Sequence, residues 1–407
     1  MQKKCKVLMV VGNNPAPEDS RVWPEALALR DAGCQVCIIS PKGETQHRES
    51  HVYLEGIHTY RFHLPAGESV IGYIIENAVV VVMTFWLSLV VLARHGFDVI
   101  HAANPPDTYF PLAALYRLLG KRFIFDQHDI APEMFDVIVG NRASGLARQA
   151  LRAVLGGLER GSYRMADVVI VANRSFATFA VERGGCRDER VVVVRNGPNL
   201  RRFTLVAPEP ALKRGRRYLL GYTGVMGVQD GVDVAIRALD ILVHRRGRCD
   251  VGLVLLGDGP DGARLRDLIH ELHLDDYVEF TGFVSHDVVR RYLSTVDVGL
   301  CPDPQNGLNE YCTMIKTMEY MALGKPVVAF DLIETRFSAQ DAALYATPNS
   351  YEDFASKIET LLADADLRKR MGEFGQQRVR NALSWQHSIT ELLRAYRILF
   401  PDAFPLE

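Results

Sequence analysis

The sequence predicts an α/β protein of two doubly wound domains facing each other across a cleft. Short apolar strands alternate with helical stretches from the start to about residue 195, and such alternation implies a parallel sheet. The pattern breaks around Arg195-Asn196-Gly197-Pro198 and resumes at residue 218. A length of 407 residues exceeds one ordinary core and suits two domains of near-equal size.

In the first series KVLMVVG is a strand, residues 20–32 a helix and QVCIIS the next strand. An apolar stretch, 77–93, leads into the strand DVIHA. PLAALYRLLG then reads as a helix, RFIFD as a strand, 146–165 as a long helix and DVVIVA as a strand. Residues 198–217, PNLRRFTLVAPEPALKRGRR, carry proline and basic residues without periodicity and read as a linker. In the second series RYLLGYTG, DVGLVLLGDGP, YVEFTGF, DVGLCPDP and PVVAFD are strands. Helices at 232–245, 263–272, 287–294 and around KTMEYMALG lie between them. The expected domains are 1–200 and 218–384, joined by 201–217, with 385–407 a C-terminal helix packing back on the first domain. Two such domains in series place a ligand cleft at their strand C-termini.

Composition excludes several classes. Apolar residues make up 48% and charged residues 24%, as in ordinary globular proteins. A formal net charge of −2 argues against a nucleic-acid binder. The seven cysteines show no metal-ligand spacing, and Cys34 and Cys37 sit in a buried strand, so a reducing cytoplasm is expected. The opening KVLMVVGNN is too short for a secretory signal. Residues 77–93 hold 17 uncharged residues, the lower limit for a membrane span. A span would put two strands of one sheet on opposite sides of a bilayer. A buried crossover helix, with or without an apolar face on the membrane, is the expectation.

Several strand ends carry candidate chemistry. GYTGVMGVQDGVD places Gly224 and Gly227 between a strand and a helix, where amide groups at a helix start favour phosphate. Gly257 repeats the device in LLGDGP. A tight structural turn explains either loop equally well. His101 and the pair His128-Asp129 close strands in the first half, and Asp126 or Asp129 is placed to orient His128. Glu133 reads either as a cleft residue or as a helix-start carboxylate. Asp364-Ala365-Asp366 matches a D-x-D metal motif but reads as a helix cap, and no metal is expected.

The order of these pieces, with EYMALGKPVVA, resembles the donor-binding half of the retaining glycosyltransferases of family 4, which have the GT-B fold of two Rossmann-like domains. DSRVWPEALALRDAGCQV, FDVIHAANPPDTY, FDQHDIAPEMF and LERGSYRMADVVIVANRSF resemble the acceptor half. The resemblance covers most of the chain and points to enzymes of bacterial cell-surface polysaccharide synthesis. It implies that Glu319 binds the ribose hydroxyls of a nucleotide sugar, as an acceptor-only carboxylate is able to do. Phe283 and Val284 then lie by the base. The family's first glutamate falls on Tyr311, so Glu310 becomes the candidate for the donor sugar, with His128 and His101 the other catalytic candidates. The family's arginine and lysine for the diphosphate are missing from VMGVQDG. Lys316, one helical turn before Glu319, is the first substitute and Arg336 the second.

The implied activity moves a sugar, with retention, from a UDP- or GDP-linked donor to a saccharide or polyprenyl-linked acceptor at the cytoplasmic membrane face. The nucleotide sugar is a co-substrate and no cofactor is implied. Residues 77–93 and an arginine-bearing helix (Arg142, Arg148, Arg152, Arg160 and Arg164) suit an anionic membrane surface. Alternatives are a GT-B sugar-nucleotide epimerase or a non-catalytic nucleotide-sugar-binding subunit.

Overall fold

The computed structural model describes residues 5–43, 46–65, 70–139 and 145–405. The chain divides into two compact units, 1–195 with 388–407, and 196–387.

The first unit is built in the order β1 (Lys6–Val10), α1 (Val22–Asp31), β2 (Gln35–Pro41), β3 (His51–Leu54) and β4 (Ile57–Phe62). It continues with α2 (Val70–Arg94), β5 (Val99–Ala103), α3 (Phe110–Arg117), β6 (Arg122–Gln127), α4 (Ala131–Val139) and α5 (Gly145–Met165). β7 (Val168–Val171), α6 (Arg174–Glu182) and β8 (Val191–Val193) complete its run. The eight strands lie in the order β3-β4-β2-β1-β5-β6-β7-β8, parallel except for the β3–β4 pair. Sequence reading passed over that hairpin, although its signal was present. HVYL and IHTYRF flank Glu55-Gly56, and both turn residues have positive φ, +48° and +82°, as a two-residue hairpin turn requires.

The second unit follows as β9 (Tyr218–Thr223), α7 (Val232–Asp240), β10 (Val251–Leu256), α8 (Gly262–Glu271), β11 (Val278–Gly282) and α9 (His286–Thr295). Next come β12 (Val298–Cys301), α10 (Ile315–Ala322), β13 (Val327–Phe330), α11 (Ile333–Ala339), β14 (Ala343–Ala346), α12 (Tyr351–Ala363) and α13 (Ala365–Arg378). Its six strands, β11-β10-β9-β12-β13-β14, are all parallel. The last helix, α14 (Trp385–Leu399), belongs to the first unit from Ser388 onward, where Tyr396 is fully buried.

The expected linker at 201–217 needs correction. Leu200, Phe203 and Leu212 pack against the apolar cluster of the second unit, and the amides of Val206 and Glu209 donate to the hydroxyls of Ser294 and Thr295. Its lack of periodicity reflects irregular backbone, not freedom from the fold. Asp364 accepts from the Leu367 amide at 2.8 Å and caps α13.

Right-handed crossovers that step in one direction across the sheet keep their helices on one face. α2, α3 and α5, which lead to β5, β6 and β7, therefore share a face of the first sheet. α2 departs from an ordinary surface helix in exposing large apolar side chains, while Val80 and Val91 are buried beside two hydroxyl residues. Its buried positions include Thr84 and Ser88, and Ser88 Oγ lies 2.8 Å from the Tyr116 hydroxyl. Its exposed positions are Ile75, Val82, Phe85, Trp86 and Leu89, which recur at helical spacing, with Trp86 62% exposed.

Candidate functional site

In the second unit, the two glycine-rich loops are knitted to each other. Gly224, with φ +143°, donates to the Leu256 carbonyl, and a Cβ on Gly257 would meet the Gly224 carbonyl oxygen at 2.1 Å. Close backbone approach therefore accounts for Gly224 and Gly257. Gly227 begins the turn into α7, and its amide already donates to Asp230 Oδ2 at 3.0 Å. A carboxylate occupies the place that sequence reading reserved for phosphate.

Lys316 lies just beside this loop. α10 is seated by Tyr320, whose hydroxyl bridges the Thr223 amide and the Leu300 carbonyl at the ends of β9 and β12. Gly299 leaves room for that ring, since a Cβ there would come within 2.4 Å of it. Lys316 is thereby buried, with Nζ 2.7 Å from Asp303 Oδ1, 3.8 Å from Asp230 Oδ1 and 4.9 Å from the centre of the Tyr222 ring. Burial works against its charge, but Asp303, Tyr222, Cys301 and Asp230 outweigh it and hold the ammonium well above the usual lysine range. Asp303 was not anticipated. Its only signal is an acid between two prolines after a strand, Cys301-Pro302-Asp303-Pro304.

Glu319 is half-buried on the same helix, and burial lifts its carboxyl to about 7 against the opposing pull of Lys316. An acid with a raised folded-state pKa contributes most below its unfolded value, near 4.5, and loses that contribution as pH rises through about 7. Glu319→Gln, always neutral, is therefore expected to match the parent in stability at pH 4.5. At pH 8 it should exceed the parent by up to about 3 kcal/mol, read by urea unfolding at both values. The same variant should weaken nucleoside diphosphate binding about tenfold or more in calorimetry, by loss of a charge-assisted bond. Equal unfolding curves at pH 8 would show that Glu319 is not strained by its burial.

Two other candidates are otherwise engaged. Arg336 lies in α11 and forms two 2.6 Å bonds to Asp331, with its guanidinium 4.1 Å from the centre of the Tyr345 ring. In this structure Arg336 sits in an exposed salt bridge to Asp331, just past the end of β13. Glu310 accepts from Gln305 Nε2 at 2.8 Å and from the Ile333 amide at 3.3 Å, so it sits at the start of α11. Phe283 is 77% exposed just past Gly282, whose carbonyl accepts from the Gly257 amide, while Val284 turns toward the apolar cluster.

The first unit brings both predicted histidines onto one carboxylate. His128 Nε2 is 2.7 Å from Asp126 Oδ2, and His101 Nε2 is 3.4 Å from the same oxygen. His128 remains partly exposed. His101 lies in the middle of β5, not at its end, and is 1% exposed; its Nδ1 is 2.9 Å from the Tyr396 hydroxyl. It is too enclosed to touch a substrate, which corrects its placement among catalytic residues. Arg21 completes the group with Nη2 2.6 Å from Asp126 Oδ1, Nε 3.3 Å from Glu25 Oε1 and Nη1 donating to the Val194 carbonyl. Burial opposes ionisation of Asp126, yet Arg21, His128 and His101 hold it well below the usual carboxylate range. Glu25 moves the other way: burial and neighbouring Asp126 outweigh Arg21 and raise it well above the ordinary value.

Glu25, His101 and Asp126 are close enough to share a metal ion. The Arg21 guanidinium already supplies the cation there, and the set fits an ion pair better than a metal. Sequence reading quoted DSRVWPEA only as a resemblance and gave Arg21 and Glu25 no role. Their four-residue spacing on one helix face was the available signal. Glu133, left open from sequence, is buried and paired with Arg183 at 2.9 Å and Arg152 at 3.5 Å.

Comparison with known proteins follows the same division. Residues 20–197 match the "glycosyl transferase 4-like domain" family and residues 217–364 the "glycosyl transferases group 1" family. The chain is 32% identical over 159 residues to an alpha-D-kanosaminyltransferase of Streptomyces kanamyceticus, spanning 39% of each chain. It is 31% identical over 147 residues to an amylovoran biosynthesis glycosyltransferase of Erwinia amylovora, 36% of this chain and 35% of that one. These matches span less than half of the relatives' own length. Sucrose-phosphate synthase of Thermosynechococcus elongatus superposes with a TM-score of 0.79 at 20% identity, covering 98% of this chain and 100% of that one. An Anabaena protein, HepE, solved with UDP and glucose superposes at 0.69 and 16% identity, covering 96% and 99%. With both halves matched by family and the whole fold reproduced, the chain belongs to the GT-B glycosyltransferases of family 4.

Proposed function

We propose that this glycosyltransferase moves a hexose, with retention, from a UDP- or GDP-linked donor to a saccharide or polyprenyl-linked acceptor, working peripherally on the cytoplasmic face of a membrane. One relative's part in amylovoran biosynthesis, and a structural neighbour solved with UDP and glucose, support the acceptor and donor classes. Glu319 takes the ribose hydroxyls, Lys316 and those amides of the 224–231 loop not already bonded within the protein take the diphosphate, and Glu310 lies toward the donor sugar. The departing diphosphate acts as base on the face where the acceptor hydroxyl attacks. The protein's part is positioning and charge stabilisation, without a resident metal or cofactor.

The observation that carries the membrane reading is α2, which turns Val82, Phe85, Trp86 and Leu89 outward. Residues 75–94 are long and apolar enough to cross a bilayer, but α2 packs on β1 and β2 between two strands of one sheet. A helix so held lies on the membrane. Exposed Leu118 and Leu119 just past α3, and Leu146 and Val154 on α5, extend the apolar surface of the same sheet face.

The arginine contribution is smaller than sequence suggested. Arg148 and Arg152 are paired with Asp136, and Arg152 also with Glu133, while Arg142 lies outside the described residues. Arg160 and Arg164 remain exposed on α5. Pelleting with anionic vesicles is therefore expected to weaken in high salt without vanishing. A Val82→Glu/Trp86→Glu double variant should lose it at either salt concentration. Unchanged pelleting of that variant would remove α2 from the contact.

A further inference from the structure

We propose that His101 is a positioning residue that acts through Asp126, beside a neutral Glu25, to fix which nitrogen of His128 carries its proton and how firmly His128 takes up a second. The proposal rests on the reading of His128 as the residue that meets the donor or acceptor, and its test is read without either substrate.

Asp126 is a buried carboxylate shared by three cationic or proton-bearing groups. Its Oδ1 takes Arg21 Nη2 at 2.6 Å. Its Oδ2 takes His128 Nε2 at 2.7 Å, Arg21 Nε at 3.2 Å and the looser approach of His101 Nε2 at 3.4 Å. A carboxylate facing Nε2 keeps the proton there, and Nδ1 of His128 is left as the free lone pair. Each further donor on Oδ2 reduces the negative charge that His128 feels. His101 Nε2 lies near that oxygen without a hydrogen bond of good geometry, so a proton on it acts on Asp126 through space, and its ring is aimed by the Tyr396 hydroxyl on its other nitrogen, 2.9 Å away.

Glu25 sets the charge balance. It is fully buried, its Oε2 is 3.6 Å from His101 Nε2, and neither of its oxygens has a hydrogen-bond partner of good geometry among the described residues. An ionised carboxylate in that position would meet only Arg21 Nε, 3.3 Å away and already bonded to Asp126 Oδ2, and Arg21 and Asp126 already neutralise each other. A protonated Glu25 leaves the group neutral. The remaining groups around it are Asp19, which accepts from the amides of Arg21 and Val22, Asp129 beside His128, and the thiols of Cys5 and Cys34 near Tyr396. Asp19 and both thiols have their own partners or each other, so Glu25 and His101 are the groups whose protons bear on Asp126.

The test follows imidazole signals of the intact, nitrogen-labelled protein across pH, with His128 assigned by its loss in His128→Gln. His101→Phe removes one proton-bearing group from beside Asp126, so the His128 signals are expected to titrate at higher pH than in the parent, by about half a unit or more. Glu25→Gln keeps the shape and neutrality of a protonated glutamate and should leave the His128 curve in place. His101→Gln serves if the phenylalanine variant does not fold. An unmoved curve in His101→Phe or His101→Gln overturns the coupling, and a curve moved to lower pH in Glu25→Gln shows that Glu25 is charged and overturns its part. A purely structural role for His101 would change the melting temperature of its variants and leave the curve alone. Should His128→Gln keep full transfer activity while the couplings appear, the reading of His128 fails and the proton-sharing array stands.

Discussion

His128→Ala is expected to lower turnover by about 10²- to 10⁴-fold, the range for loss of a placed acid–base group, while moving the melting temperature little. The second half of that expectation comes from the shared carboxylate. Asp126 would still be held by Arg21 through both oxygens, so no charge is left buried alone. His128 is also the most accessible member of the group, and its removal opens no enclosed cavity. The measurement is release of nucleoside diphosphate from a panel of UDP- and GDP-sugars, in the presence of a chelator, with thermal melting alongside. Turnover within tenfold of the parent would take His128 out of the chemistry. A melting temperature lowered by many degrees would make it a structural residue instead.

The contrast between these two residue classes explains what was legible in the sequence. The apolar strands of both sheets, such as Leu219, Leu220 and Val254, are readable because burial on both faces leaves continuous apolar runs. The glycines were legible as turns, but their cause was not. Gly257 is demanded by the Gly224 carbonyl of another loop, a contact 33 residues away in the chain that local spacing does not encode. Lys316 and Glu319 were found through family resemblance, and their shared helix face was readable from their spacing. That Lys316 answers to Asp303 was not, because the partner arrives from the end of a different strand. Arg336 shows the converse: its partner Asp331 stands five residues away, so this salt bridge was readable from the sequence. Inward Thr84 and Ser88 in α2 were equally visible as letters. Only the packing shows that both are buried, Ser88 against Tyr116, and that Trp86 faces solvent.

Lys316→Met is expected to be the most damaging single substitution for stability, costing about 3–5 kcal/mol, because it strands buried Asp303 and leaves Asp230 without its cation. A loss of turnover in that variant alone therefore says little about the donor diphosphate. Lys316→Met/Asp303→Asn removes both members of the tight pair, and chemical unfolding should recover at least half of the lost stability, since contacting residues are strongly non-additive. Turnover in the double variant then isolates the phosphate role. Lys316 faces two carboxylates, so its positive charge is largely spoken for until the donor arrives. If Lys316 takes the diphosphate as proposed, the incoming ligand has to draw it away from Asp230, whose Oδ2 also holds the Gly227 amide. The charge on the diphosphate grows as the sugar leaves, so this exchange stabilises the transition state more than the bound donor. The double variant should therefore keep donor affinity within a few-fold and lose most of kcat. If kcat is retained, the leaving diphosphate is held by the backbone amides of the 224–231 loop, and Lys316 serves only to balance Asp303 and Asp230. If stability is not recovered, the pair does not carry the energy assigned to it, and Tyr222 or Cys301 must share it.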